Sequence, residues 1–98
     1  MYINIKYSGE ELFDIIDAPA PVAKNIALYQ QEFFAWLFDK SNHHKYWIYK
    51  NGEPSCCSYD TEVFVDWLNT YPLRNSLEKV VITARLVKTS NGNLNLVF

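Results

Sequence analysis

The sequence predicts a single α+β domain, residues 1–98, in which one mostly antiparallel sheet carries three helices on one face. The stretch from Val22 to Lys40 places its apolar residues on a broad arc at helical spacing, so a sheet or other helices must cover it. Several shorter segments alternate with the period of two that is typical of strands. The chain has 98 residues, 49% hydrophobic and 20% charged, which suffices for one core and not for two.

The predicted order of elements is β-α-α-β-β-α-β-β, and its first half rests on local signals. Residues 2–7 alternate as a half-buried strand. Ser8 and Glu11 have the spacing of a capping box, so we expect the first helix over residues 8–17, ended by the prolines that follow. The second and longest helix, residues 22–40, is the central element. The middle of its apolar arc holds Ile26, Tyr29, Phe33, Trp36 and Leu37.

The second half of the chain predicts a hairpin, a third helix and two final strands. Residues 45–50, KYWIYK, and residues 55–59 are expected to pair across a turn at 51–54. Asp60 can cap a helix over residues 61–71. Its expected buried face consists of Phe64, Trp67, Leu68 and Tyr71.

Residues 79–89 and 94–98 alternate as strands on either side of a turn at 90–92. We expect them to form a second hairpin. A three-residue loop would pair Leu86 with Leu96 and Ala84 with Phe98, and this register keeps one face uniformly apolar.

The charge and the cysteines limit the functional classes. With 9 basic and 11 acidic side chains the net charge is −2, which does not favour binding to nucleic acid phosphates. Neither a run of about 18 apolar residues nor a signal peptide is visible, so we expect a cytoplasmic protein that does not cross a membrane. Cys56 and Cys57 are adjacent, and reduced thiols in a reducing compartment suit them better than a strained bond.

Two pairs of neighbouring residues, His43-His44 and Cys56-Cys57, have the chemistry of metal ligands but not the spacing of a zinc site. The sequence therefore predicts no metal and no cofactor. A small enzyme that uses a cysteine activated by a histidine remains an alternative. Nothing in the spacing assembles such a pair, and phosphate-loop, nucleophile-elbow and dinucleotide motifs are missing.

Acidic residues recur on two of the predicted helices. Glu10, Asp14 and Asp17 are spaced i, i+4, i+7 on the first, and Glu62 and Asp66 face outward on the third. For any one carboxylate, a solvated helix face is the simpler interpretation. Together, carboxylates on one surface could complement a basic partner and accelerate its capture.

The strand KYWIYK has no polar side, since Trp47 and Tyr49 share one face and apolar residues fill the other. Either both faces are buried, or Trp47 and Tyr49 are exposed as the kind of aromatic anchors found in binding hot spots. Lys45 and Lys50 flank these rings, which leaves single-stranded nucleic acid binding as a further alternative that the net negative charge disfavours.

The sequence therefore predicts a small protein-binding or inhibitor domain that is not an enzyme. The type that fits best is an immunity protein, which neutralises a basic toxin such as a nuclease by covering its surface. The oligomeric state stays open. The predicted partner-binding residues are Glu10, Asp14, Asp17, Trp47, Tyr49, Glu62 and Asp66.

Overall fold

The computed structural model describes residues 1–7, 9–88 and 94–98, and within them it has six strands and three helices. The α+β class is confirmed, and most strand pairs are antiparallel, as predicted. The elements in chain order are β1 (Tyr2–Lys6), β2 (Phe13–Asp17), α1 (Ala20–Lys24), α2 (Ile26–Leu37), β3 (Trp47–Lys50), β4 (Glu53–Cys57), α3 (Thr61–Thr70), β5 (Val81–Val87) and β6 (Leu94–Val97).

The strands form two sheets where the sequence predicted one. The larger sheet has the order β5-β2-β1-β6, and the smaller one is the hairpin of β3 and β4. In the larger sheet β1 pairs antiparallel with β2 and parallel with β6, while β2 pairs antiparallel with β5. Among the described residues the hairpin pairs with no further strand, so it stands beside the main sheet as a separate unit.

The prediction of a helix over residues 8–17 is wrong, because the second half of this segment is strand β2. Ile3 pairs with Ile16 and Ile5 with Asp14 in an antiparallel register. Asp14, Ile15 and Ile16 are all buried, and consecutive strand residues point to opposite faces. Pairing with β1 and β5 therefore overrides the local helix signal. The capping residue Ser8 lies outside the described residues.

The predicted hairpin of the last two strands is also wrong. β5 and β6 lie at opposite edges of the larger sheet, so Leu86 does not pair with Leu96. Ala84 instead pairs with Ile15, and Leu96 pairs with the fully buried Ile5. An alternating apolar strand fits beside β1 as well as beside β5, so its pattern alone cannot choose the neighbour. The predicted turn at residues 90–92 lies outside the described residues.

The long apolar segment forms two helices in place of one. Asn25 separates α1 from α2, and its side-chain amide donates a 2.9 Å hydrogen bond to the Pro21 carbonyl. α2 ends at Leu37, before the predicted end at Lys40. No helix of the described ranges is long and apolar enough to cross a membrane.

The core lies between one face of the larger sheet and the helices. Phe33 of α2 is fully buried at its centre, with ring centroids 5.1 Å from Phe64 and 5.6 Å from Trp67 of α3. All three helices and the larger sheet contribute to this cluster. Its members include Ile3, Ile5, Ile16, Val22, Phe33, Leu37, Phe64, Leu68 and Leu96.

The third helix and the first predicted hairpin are confirmed. The Asp60 side chain caps α3 by accepting a 3.0 Å hydrogen bond from the Val63 amide. β3 and β4 pair across the two-residue turn Asn51-Gly52, whose φ angles are 54° and 80°. Two positive φ angles suit a hairpin turn that matches the strand twist, which explains the asparagine and glycine at these positions.

Candidate functional site

Trp47 is a buried residue, so the expectation of an exposed anchor at this position is wrong. Its side chain is 8% exposed, and its indole nitrogen donates a 2.7 Å hydrogen bond to the Asn42 carbonyl. Its ring stacks on His44 at 5.3 Å and 2°. Tyr49, two residues further toward the free turn of the hairpin, is 59% exposed. Trp47 and Tyr49 lie on the same face of β3, but Trp47 at the start of the strand is buried and Tyr49 near the turn is exposed.

Asp14 is buried as well, so it does not form part of an acidic stripe on the surface. It belongs to β2, and its carboxylate accepts hydrogen bonds from the Thr61 hydroxyl at 2.5 Å and from the Leu86 amide at 3.0 Å. Leu86 has a φ of 55°, which is uncommon for a side chain of this size. It lies where the register between β2 and β5 shifts, so a side chain takes over a backbone hydrogen bond at this bulge.

A chain of hydroxyls extends this network to the first strand. The Thr61 proton is committed to Asp14, so the Tyr7 hydroxyl must be the donor in its 2.9 Å bond to the Thr61 oxygen. Burial, together with the charge of Asp14, raises the pKa of Tyr7. The network therefore joins the end of β1, β2 and the first residue of α3.

Arg85 links this network to the exposed carboxylates at the start of α3. Its guanidinium lies 3.9 Å from the Asp14 carboxylate, 3.5 Å from that of Asp60 and 3.6 Å from that of Glu62. The Glu62 side chain is 73% exposed and that of Asp60 is 50% exposed. Such exposed ion pairs contribute little to stability, so both carboxylates can exchange partners at low cost.

The other predicted carboxylates have different surroundings from one another. Asp17 accepts a 2.9 Å hydrogen bond from the ammonium of Met1 at the far end of β2. Glu10 is exposed and lines a shallow cavity with Asp14 and Arg85. Within residues 1–7, 9–88 and 94–98, Asp66 has no ion-pair partner, although the Tyr46 hydroxyl lies 3.5 Å away.

Asp66 stands beside a small cleft whose walls are aromatic rings. The cleft has a volume of about 200 Å³. The Trp36 ring lies 5.4 Å from that of Tyr71 and 4.7 Å from that of His44, and the His44 ring lies 5.5 Å from that of Tyr46. The rings belong to the end of α2, the loop before β3 and the end of α3.

The sequence did not predict this cleft. The sequence predicts Tyr71 on the buried face of the third helix, yet it is 51% exposed at the helix end. Its pattern also places Trp36 in the core, whereas Trp36 is only half-buried. The available signal was the i, i+4 spacing of Trp67 and Tyr71 next to Asp66, which places rings and a carboxylate on adjacent parts of one helix.

Carboxylates act on the Tyr46 ring at the cleft. Burial comes first among the causes that raise the pKa of Tyr46, and the carboxylates of Asp66, Asp60 and Glu62 add to it. Lys45 lines the same cleft, and its ammonium lies 5.5 Å from the centre of the Tyr46 ring. A positive charge over a ring at this distance is a cation–π contact.

Cys57 and His44 both form hydrogen bonds to one backbone carbonyl, and the enzyme alternative requires a cysteine close to a histidine in this way. Leu37, the last residue of α2, accepts from the Cys57 thiol at 3.2 Å and bonds the His44 Nε2 at 2.8 Å. The Tyr46 amide donates to the other nitrogen of His44 at 3.2 Å, so Nε2 carries the proton and donates to Leu37. These two donors satisfy a carbonyl that the helix leaves unpaired at its end.

This geometry does not activate the thiol. Burial, and secondarily the neighbouring Cys56, raises the pKa of Cys57, which disfavours the thiolate that a nucleophile requires. His44 is already engaged at both nitrogens. Among the described residues, no group of three or more His, Cys, Asp or Glu side chains could hold a metal ion.

Comparison of the chain with protein-family models, with curated proteins and with solved structures gives no match. The candidate site consists of the exposed carboxylates Asp60, Glu62 and Asp66 and the ring-lined cleft beside them. We call these together the α3 surface.

Proposed function

We propose that this protein is a protein-binding domain that captures a basic partner through the α3 surface. The observation that carries the proposal is that Asp60, the cap of α3, lines one open cavity with Glu62 and Asp66, directly beside an aromatic cleft. Carboxylates steer a basic protein toward the surface, and aromatic side chains are the residues that most often anchor the contact. Both kinds of group are needed for specific and rapid binding.

The anchors differ from those expected from the sequence alone. Trp47 is buried in the hairpin, while the rings of Tyr46 and Tyr71 line the cleft. Asp14 supports the α3 surface from below, through Thr61 and Arg85, without touching a partner. The proposed contact residues are therefore Tyr46, Asp60, Glu62, Asp66 and Tyr71.

In its more specific form, the proposal is that the domain is an inhibitor of the immunity type. A basic toxin, such as a nuclease with a positively charged substrate groove, would meet the carboxylates of the α3 surface. Covering that groove would block the toxin without any chemistry by the inhibitor. This form rests on the small size of the domain and on the charge of the surface.

The test begins with affinity capture of partners from the producing cell, and the product of the adjacent gene is the first candidate partner. Reconstitution of the complex from the two purified proteins then decides the question. We expect a complex whose association slows with added salt and slows by about tenfold in Glu62→Lys. The matched control is Glu53→Lys, which reverses a charge at the tip of the hairpin. An association rate that is the same for both variants, or a partner contact that spares α3, would overturn the proposal.

A further inference from the structure

The cleft beside Asp66 has the shape and charge to receive one specific kind of side chain. We propose that it is the receptor for a single arginine side chain of the partner, and this inference rests on the proposed function. The proposal rests on the position of the Asp66 carboxylate. It is exposed, has no ion-pair partner among the described residues, and lies at the edge of a cleft walled by Trp36, Tyr46 and Tyr71.

The size of the cleft restricts its occupant. Its volume of about 200 Å³ is below the range of sites for drug-sized ligands, which begin at about 300 Å³. One long side chain that enters end-on fits such a space. The cleft is also open to the same side as Asp60 and Glu62, so a protein docked on the α3 surface can reach into it.

The chemistry of the walls favours a planar cation. The faces of aromatic rings carry partial negative charge, and they attract a cation within about 6 Å of the ring centre. A guanidinium can stack on Trp36 or Tyr71 while its N–H groups donate to the Asp66 carboxylate. An ammonium is more strongly hydrated and lacks the flat surface, so arginine is preferred to lysine here.

Lys45 provides an internal example of this interaction. Its ammonium already lies 5.5 Å from the centre of the Tyr46 ring, on a residue that is itself exposed. It therefore lies at the edge of the cleft and repels an incoming cation. Removal of the Lys45 charge should strengthen the binding of arginine, whereas a purely structural role of the cleft predicts no such gain.

The experiment uses the whole chain and three short probes: acetyl-Gly-Arg-Gly-amide, its citrulline analogue, which has the same shape without the charge, and its lysine analogue. Nuclear magnetic resonance titrations follow the indole N–H signals of Trp36 and Trp67, which line the cleft. We expect the arginine probe to bind with a dissociation constant on the order of millimolar, and the citrulline probe about fivefold more weakly.

Variants then assign the binding to the cleft. Asp66→Asn and Tyr71→Ala should each weaken the arginine probe by about fivefold, and Lys45→Gln should tighten it by about twofold. Glu53→Gln is the matched control, since it removes an exposed carboxylate at the tip of the hairpin, outside the cleft. Equal binding of the arginine and citrulline probes, or equal losses in Asp66→Asn and Glu53→Gln, would overturn the proposal.

Failure of this inference is distinguishable from failure of the proposed function. A reconstituted complex that is weakened by Glu62→Lys but unaffected by Tyr71→Ala would eliminate the arginine receptor and leave the protein-binding surface in place. An arginine probe that binds in the cleft, combined with a partner complex that ignores charge reversal on α3, would eliminate the proposed function alone.

Discussion

The Thr61 hydroxyl donates a 2.5 Å hydrogen bond to the carboxylate of Asp14, although the two residues are 47 positions apart in the chain. Thr61 is the first residue of α3, and Asp14 lies in β2. The bond fixes the beginning of the helix to the larger sheet, and a negative charge at this end suits the helix dipole. The proposed binding surface thus has a rigid base.

This bond gives a first prediction for stability. Asp14→Asn should lower the free energy of unfolding by about 2 kcal/mol. Thr61 and Leu86 donate to different oxygens of the Asp14 carboxylate, and asparagine keeps only one accepting oxygen and lacks the charge that faces Arg85. Urea unfolding followed by circular dichroism measures the change. The control Glu10→Gln makes the same chemical change at an exposed site and should leave stability unaffected. Equal stability of the two variants would contradict the buried network.

A second prediction concerns the two aromatic residues that share a face of β3. Trp47→Ala should destabilise the protein by about 3 kcal/mol or more, because it empties a buried site and orphans the Asn42 carbonyl. Tyr49→Ala should cost less than about 1 kcal/mol, since the side chain is 59% exposed. Thermal unfolding of both variants provides the comparison. A Trp47→Ala protein as stable as Tyr49→Ala would show that Trp47 is a surface residue.

Elements that are specified by neighbouring residues could be predicted from the sequence. α3 is the example, since its cap at Asp60 and its apolar face at Phe64, Trp67 and Leu68 lie within nine residues. The turn after β3 is another, although the sequence predicts it over residues 51–54 and the structure confines it to Asn51 and Gly52, which both have positive φ.

Elements that depend on distant pairing could not be predicted in the same way. Residues 8–17 carry a strong local helix signal, yet residues 13–17 pair with β1 and β5 as a strand in which Ile15 and Ile16 are both buried. The position of β6 depends on which strand it pairs with, and its alternating pattern does not distinguish β1 from β5. The cleft escaped prediction for a related reason, because its rings come from three separate segments.

The cysteines give a third prediction. Cys56 is exposed, whereas the Cys57 thiol is bonded to the Leu37 carbonyl and its pKa is raised by burial. Iodoacetamide at pH 8 should therefore alkylate Cys57→Ser, which retains Cys56, about tenfold faster than Cys56→Ser, which retains Cys57. Mass spectrometry at timed intervals measures both rates. Faster alkylation of Cys56→Ser would indicate an activated Cys57 and would revive the enzyme alternative.

A fourth prediction concerns stability at alkaline pH. Because the pKa of Tyr46 is raised in the folded protein, the folded state holds the phenolic proton more tightly than the unfolded chain does. The resulting stabilisation is complete below the ordinary tyrosine pKa of 10.0 and is lost as the pH rises through the folded value. The Tyr46→Phe variant should lose less stability across this window than the original protein.

Direct measurement of the Tyr46 pKa also tests the electrostatic effect of Asp66 on the cleft. Carbon-13 labelling of the tyrosine rings allows the pKa of Tyr46 to be followed directly. Asp66→Asn should bring it part of the way back toward 10.0, since burial, the first cause, remains. Glu32→Gln, on the exposed side of α2, is the control. An unchanged pKa in Asp66→Asn would mean that this carboxylate does not act on the cleft.

The fifth prediction tests the strand order of the larger sheet by cross-linking. In a background with both natural cysteines replaced by serine, Lys6→Cys combined with Val97→Cys should form a disulfide, because these residues are partners in the parallel pair β1–β6. Leu86→Cys combined with Leu96→Cys is the pair that the hairpin of the last two strands would bring together. In the structure β2 and β1 separate these strands, which at about 4.8 Å per strand spacing puts them about 14 Å apart, beyond the reach of a disulfide. Mass spectrometry after mild oxidation distinguishes the two, and a cross-link in the second pair but not in the first would show that β5 and β6 form a hairpin.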